Sequence, residues 1–201
     1  MTYISDPLSR NQLRGYARAI REQLEQDGFE LGIYFPVIRF LETFHKLIDD
    51  ESFHFEVVPN DYFSINIHAE YDFDENCVRL KESVYESAEK GNGRDRMTVM
   101  HELSHALLLK VSGIKLRRTM GSVVRYRDPE WHAKCLAGEI MVPAHLVKCM
   151  SAEEITNCCG VSQLAAETQL RSINFPTAEA AEDSPKEFPQ KGEELDPKQL
   201  K

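Results

Sequence analysis

MTVMHELSHALLLKV (residues 97–111) is the most apolar stretch of the chain, and its apolar residues surround a helix instead of striping one face of it. A helix of that kind is one the rest of a domain packs around. Two histidines and a glutamate lie inside it: His101, Glu102 and His105. Such groups are costly to bury without partners, and coordination of a shared cation supplies one. Residues four apart on an α-helix differ by about 40° in azimuth and about 6 Å in rise, so the two imidazoles can share one metal ion. Glu102 follows about 100° from His101, which lets its carboxylate reach a water on the metal without becoming a ligand. In this HExxH pattern zinc acidifies the water and the glutamate takes its proton. Chance alone produces HExxH about a few times in a hundred in chains of this kind. Its placement inside an apolar helix sets this copy apart.

A catalytic zinc site needs a third protein ligand and an open position. The extended form of the motif would put glycine at 108 and a third histidine at 111, but those positions hold Leu108 and Val111. The alternative is a side chain from a later helix, and RYRDPEWHAKCLAGEIMVP (125–143) offers Glu130, His132 and Glu139. Asp128 suits the N-cap of that helix and Pro129 its first position, while Pro143 closes it. Its apolar stripe is Ala133, Leu136, Ala137, Ile140 and Met141. Glu130 lies about 50° from the stripe centre, His132 about 110° and Glu139 about 130°. Glu130 is thus expected to face the core helix, with His132 and Glu139 sideways or out. A first-turn acid that complements the helix dipole is the plainer reading of Glu130.

Around this centre the chain reads as α+β. Ser9 and Gln12 form a capping box for a helix with Leu13, Tyr16, Ala17, Ile20 and Leu24 on one face, ending at Gly28. A second helix starts near Pro36, with Val37, Phe40, Leu41, Phe44 and Leu47 in a stripe. Between 53 and 80, HFEVV, SINIHAEY and NCVRLK predict three strands of a small, mostly antiparallel sheet. A turn at GNGRDR (91–96) leads into the HExxH helix. Later helices are expected from Pro143, from Ser151 with Glu154 as capping box to Gly160, and from Val161-Ser162 to about Ile173. Residues 1–174 form the domain. Residues 175–201 carry almost no large apolar side chain, and a disordered tail is expected there.

Composition narrows the classes. With 201 residues, the chain can bury a full core without disulfides. The five cysteines (Cys77, Cys135, Cys149, Cys158, Cys159) make no CxxC pair and read as reduced thiols. No apolar run spans a bilayer, and the N-terminus lacks a signal pattern, so a cytoplasmic protein with no membrane partner is expected. A net charge of −9 disfavours direct binding of nucleic acid.

GNGRDRMTVMHELSHALLL followed by DPEWHAKCLAGEIMVP resembles the ImmA/IrrE family of metallo-endopeptidases. That family shows a basic turn, FT-x-AHE-x-GH-x-LL, and a glutamate heading an E-x-x-A-N-x-F-A-x-x-LLMP helix. ITNCCGVSQLAAETQLRSI is similar to its closing helix. The similarity covers about residues 9–173 and is specific only in the two motif segments. Met97 stands in place of the usual phenylalanine, Ser104 of glycine, and Lys134-Cys135-Leu136 of Asn-x-Phe. The resemblance implies Zn2+ held by His101, His105 and Glu130, with Glu102 as general base. It implies a gluzincin-like fold, with the sheet packed on the HExxH helix. It also implies a cytoplasmic helix-turn-helix repressor as the protein substrate, whose cleavage relieves repression. The rival class is an antirepressor that keeps the zinc but sequesters its partner uncut; an intact Glu102 favours the enzyme. A purely structural zinc is the third reading, and the open coordination position argues against it.

Other polar residues have two readings each. Tyr85 is a candidate hydrogen-bond donor to the oxyanion of the transition state, or an ordinary half-buried aromatic. His132 competes for that role, or lies on the surface. Arg94 and Arg96 anchor the turn to acidic residues, or bind a substrate carboxylate. Trp131 walls a pocket or simply packs. His45, His54, His68 and His145 lack metal spacing to one another and read as incidental.

Overall fold

The computed structural model describes residues 2–110, 115–119 and 123–174. The expected tail, Val111 and the side chain of Leu47 lie outside the described residues. In chain order the elements are β1 (Thr2–Ile4), α1 (Arg10–Gln26), α2 (Val37–Leu47), β2 (His54–Val58), β3 (Ala69–Asp72), β4 (Cys77–Lys81), α3 (Glu82–Glu89), α4 (Gly93–Lys110), β5 (Arg117–Thr119), α5 (Pro129–Met141), α6 (Ala144–Val147), α7 (Ala152–Cys159) and α8 (Gln163–Asn174). The fold is α+β. No described helix is long and apolar enough to cross a membrane.

Local chemistry places the helix ends where capping residues stand. The Ser9 and Ser151 capping boxes are both formed, with Gln12 and Glu154 as the reciprocating side chains. Asp128 accepts from the Glu130 N–H at 3.0 Å, with Pro129 beside it in the first turn of α5. Gly160 ends α7 at φ +63°, the left-handed conformation that glycine adopts without a Cβ penalty. Pro36 is the N-cap residue of α2, one position earlier than the first helical residue.

Helix α4 is the hub. Val99, Met100, Leu103, Ala106, Leu107 and Leu108 are all buried, and the helix touches α2, α3, α5, β3 and β4. Beside it Phe35, Phe40, Phe44 and Phe53 make a ladder of ring contacts at 5.2, 5.3 and 4.6 Å. Such pairs each contribute about 0.5–1.5 kcal/mol beyond their area. Helix α4 begins at Gly93, so the expected turn at 91–96 is shorter than read. Arg96 is almost fully buried. It donates to the carbonyls of Phe35 (2.8 Å), Gly160 (2.8 Å) and Cys159 (3.3 Å) and to the Tyr34 hydroxyl. Its anchors are three carbonyls and a hydroxyl, not acids. Arg94 is exposed and donates to His68 Nε2 at 3.3 Å.

The sheet corrects one expectation. Its order is β2–β4–β3, with β3 antiparallel to β4 but β2 parallel to it, so it is mixed instead of mostly antiparallel. The chain leaves β2, forms β3 on the far side of β4, and returns through β4 in the middle. Alternation of side chains is the same in both pairings, so it cannot tell them apart. SINIHAEY yields a strand only from Ala69; Ser64–His68 is irregular, with a turn at Ile65-Asn66 closed by Ile67 N–H to Ser64 O at 3.1 Å. Helix α3 and the antiparallel pair β1–β5 were not foreseen.

Candidate metal centre

Helix α4 presents His101 and His105 one turn apart, and α5 brings the first-turn Glu130 against them. The His101 and His105 Nε2 atoms are 3.3 Å apart. Glu130 Oε2 is 3.3 Å from His101 Nε2, and Glu130 Oε1 is 3.3 Å from His105 Nε2. Ligands arranged tetrahedrally at zinc bond lengths of about 2.0–2.1 Å lie about 3.3 Å from one another. The trio has that spacing on all three edges. Its side chains grade outward, with His105 7%, His101 20% and Glu130 58% exposed. One side of the trio therefore faces solvent. The donor set of two imidazoles and a carboxylate fits a zinc ion. The hydrogen bonds from His101 and His105 hold the Glu130 carboxyl well below the usual carboxylate range.

Glu102 lies on the buried side of the same turn. Its carboxylate accepts from the Tyr71 backbone N–H on β3 and feels the charges of His101 and Glu130. Burial pushes its carboxyl up to about 7, the Glu130 charge adds to this, and His101 and the Tyr71 N–H oppose it. A cation held by the trio would lower it again. The role of β3 in holding Glu102 was missed, because a backbone N–H carries no mark in the sequence. Phe73, just past β3, meets the His105 ring edge-on at 6.0 Å.

The two rejected ligands of α5 are indeed not in the trio, but they are not outward either. His132 is 1% exposed and Glu139 2%. The reason is that α5 packs on α1 as well as on α4, so it buries a second face. Glu139 pairs with Arg14 through Nε–Oε2 and Nη2–Oε1 contacts of 2.9 Å each. His132 Nε2 is 2.9 Å from the Tyr126 carbonyl, which can only accept, so this nitrogen carries the proton. Its Nδ1 is 3.0 Å from the Ser5 hydroxyl. Both ring nitrogens are engaged, and burial lowers the pKa of the ring. His132 is a structural residue, and the surface reading is corrected.

The structure does not bring Tyr85 to the trio. Its hydroxyl donates to Glu42 on α2 at 3.2 Å, and its ring stacks on Phe55 of β2 at 6.1 Å. Strand β2 is the sheet edge opposite β3, where Glu102 is held. Trp131 does wall a pocket. It lines a cleft of about 510 Å3 with His101, Met97, Thr98, Leu164 and Ala165. Its Nε1 is buried with no hydrogen-bond partner among the described residues.

No protein-family model, no curated protein and no solved structure matches this chain.

Proposed function

We propose that the chain is a zinc-dependent endopeptidase, with His101, His105 and Glu130 as ligands and Glu102 as general base. The observation that carries the reading is the trio's equal 3.3 Å spacing beside an intact, buried glutamate. When bound, the zinc supplies Lewis acidity and lowers the pKa of water. Glu102 takes the proton of the attacking water and is oriented for this by the Tyr71 N–H. The cleft beside His101, largely apolar and walled by Trp131, receives a substrate side chain. Strand β3 is an edge of the sheet next to Glu102, and an extended peptide can add to such an edge.

The resemblance of the two motif segments to ImmA/IrrE endopeptidases points to a cytoplasmic helix-turn-helix repressor as substrate. A site for a purely sequestering antirepressor has no need of Glu102, so the hydrolytic reading is preferred. The test is incubation of the zinc-loaded protein with the repressor encoded beside its gene. Cleavage at one or a few bonds is expected, abolished by a chelator and restored by zinc. A stable complex with an uncut repressor would establish the antirepressor reading instead.

A further inference from the structure

Outside this centre, the face of the sheet turned from α4 carries a second group of metal-ligand side chains. The parallel register pairs His54 with Cys77 and Glu56 with Arg79, and side chains two apart on a strand share a face. His54, Glu56 and Cys77 therefore meet on one face, although Cys77 lies on a different strand. One ligand atom from each lies within 4.8 Å of the others, and His54 Nε2 is 4.0 Å from Glu56 Oε1. Tetrahedral spacing of about 3.3–3.7 Å is shorter than the 4.8 Å within which the three atoms lie.

We propose that His54, Glu56 and Cys77 form a second metal site, separate from the HExxH centre, for a divalent cation of the zinc class. The supporting shell is already in place. His54 Nδ1 lies 3.3 Å from the Ser52 carbonyl, which fixes the tautomer that leaves Nε2 free to ligate. Arg79 Nε donates to Glu56 Oε2 at 2.9 Å and leaves Oε1 toward His54. Charge favours a cation too: Arg79 is contacted by Glu56, Glu70, Asp72 and Glu75, so four carboxylates surround one guanidinium. A sulfur ligand selects zinc-class ions over magnesium or calcium. On binding, the Cys77 thiol loses its proton to solvent and the thiolate becomes the ligand. His54 and Glu56 are about half exposed and Cys77 is buried beneath them, so the ion is reached from solvent. Bound there, it ties the edge strand β2 to the central strand β4.

Cobalt separates this site from the first, because the HExxH trio contains no sulfur. Full-length protein stripped of metal and titrated with Co2+ should bind a second equivalent and show a near-ultraviolet sulfur-to-cobalt charge-transfer band. The His101→Ala/His105→Ala variant should keep the band and one equivalent. Cys77→Ser should lose the band. His54→Ala removes a half-exposed side chain, so it leaves the fold intact, and it should weaken this equivalent at least about ten-fold. The proposal is overturned if wild type shows no such band, if the band survives Cys77→Ser, or if His54→Ala leaves its titration unchanged.

Discussion

His101 Nε2 lies 3.3 Å from Oε2 of Glu130, and this contact joins α4 to the first turn of α5. The same carboxylate spans to His105, so Glu130 is the residue that turns an HExxH helix into a three-ligand site. Glu130→Ala should lower zinc affinity at this site by more than the about 10–100-fold typical of a supporting residue. His132→Ala should leave that affinity unchanged and cost about 1–3 kcal/mol of stability, because Ser5 and Tyr126 lose a buried partner. Metal analysis and thermal melting read the two effects. If His132→Ala empties the site and Glu130→Ala does not, the ligand set is wrong.

Glu102→Gln should retain metal and fold and lose cleavage by at least about 10²–10⁴-fold. The amide still accepts from the Tyr71 N–H but cannot take a proton. Substrate cleavage is followed by mass spectrometry alongside zinc content. Turnover at the wild-type rate would remove Glu102 from the mechanism.

A methyl group at Gly93 would sit 2.3 Å from the Val161 carbonyl carbon and 2.5 Å from the Ser162 nitrogen, both backbone atoms. Here α4 starts against the link between α7 and α8. Gly93→Ala should destabilise by about 1–3 kcal/mol, lowering the Tm by several degrees. Gly15, exposed on the outer face of α1, has nothing within 4 Å, so Gly15→Ala should instead stabilise by about 0.4–1 kcal/mol. Equal effects of the two substitutions would contradict the close approach at Gly93.

Cys158 and Cys159 are adjacent but unlike, the first exposed and the second fully buried. Burial pushes the Cys159 thiol up to about 11, from an ordinary value of 9.0. At pH 8 alkylation should be fast at Cys149 and Cys158 and slow at Cys159 until denaturant is added, as peptide mapping will show. The unfolded chain gives up the Cys159 proton first, so this thiol's contribution to stability is intact below about pH 9 and is lost as pH climbs toward 11. Rapid labelling of Cys159 in the folded protein would show that α7 does not bury it.

Glu130 faces α4 as its azimuth on α5 predicts, whereas His132 and Glu139 are buried although their azimuths point away from the apolar stripe. Helix α5 has more than one buried face, because α1 and α4 flank it on different sides. Polar side chains on the second face are satisfied by Arg14 and Ser5, far away in sequence, and by Tyr126 in the short 3-10 turn before α5. Tyr85 failed in the opposite sense: it stands near the motif in sequence, but α3 turns it toward α2 and β2.

What the sequence by itself determined is local. Ser9, Asp128, Ser151 and Gly160 mark helix ends because their side chains, or the lack of one, settle backbone groups within a few residues. The i, i+4 spacing of His101 and His105 likewise follows from the helix alone. Only the tertiary structure decided that Glu130 reaches both imidazoles, which strand N–H holds Glu102, and that Cys77 lies beside His54. Those contacts depend on how helices stack and strands pair, and pairing direction leaves no trace in side-chain alternation. The parallel register of β2 with β4 is such a choice, and it alone makes His54, Glu56 and Cys77 neighbours.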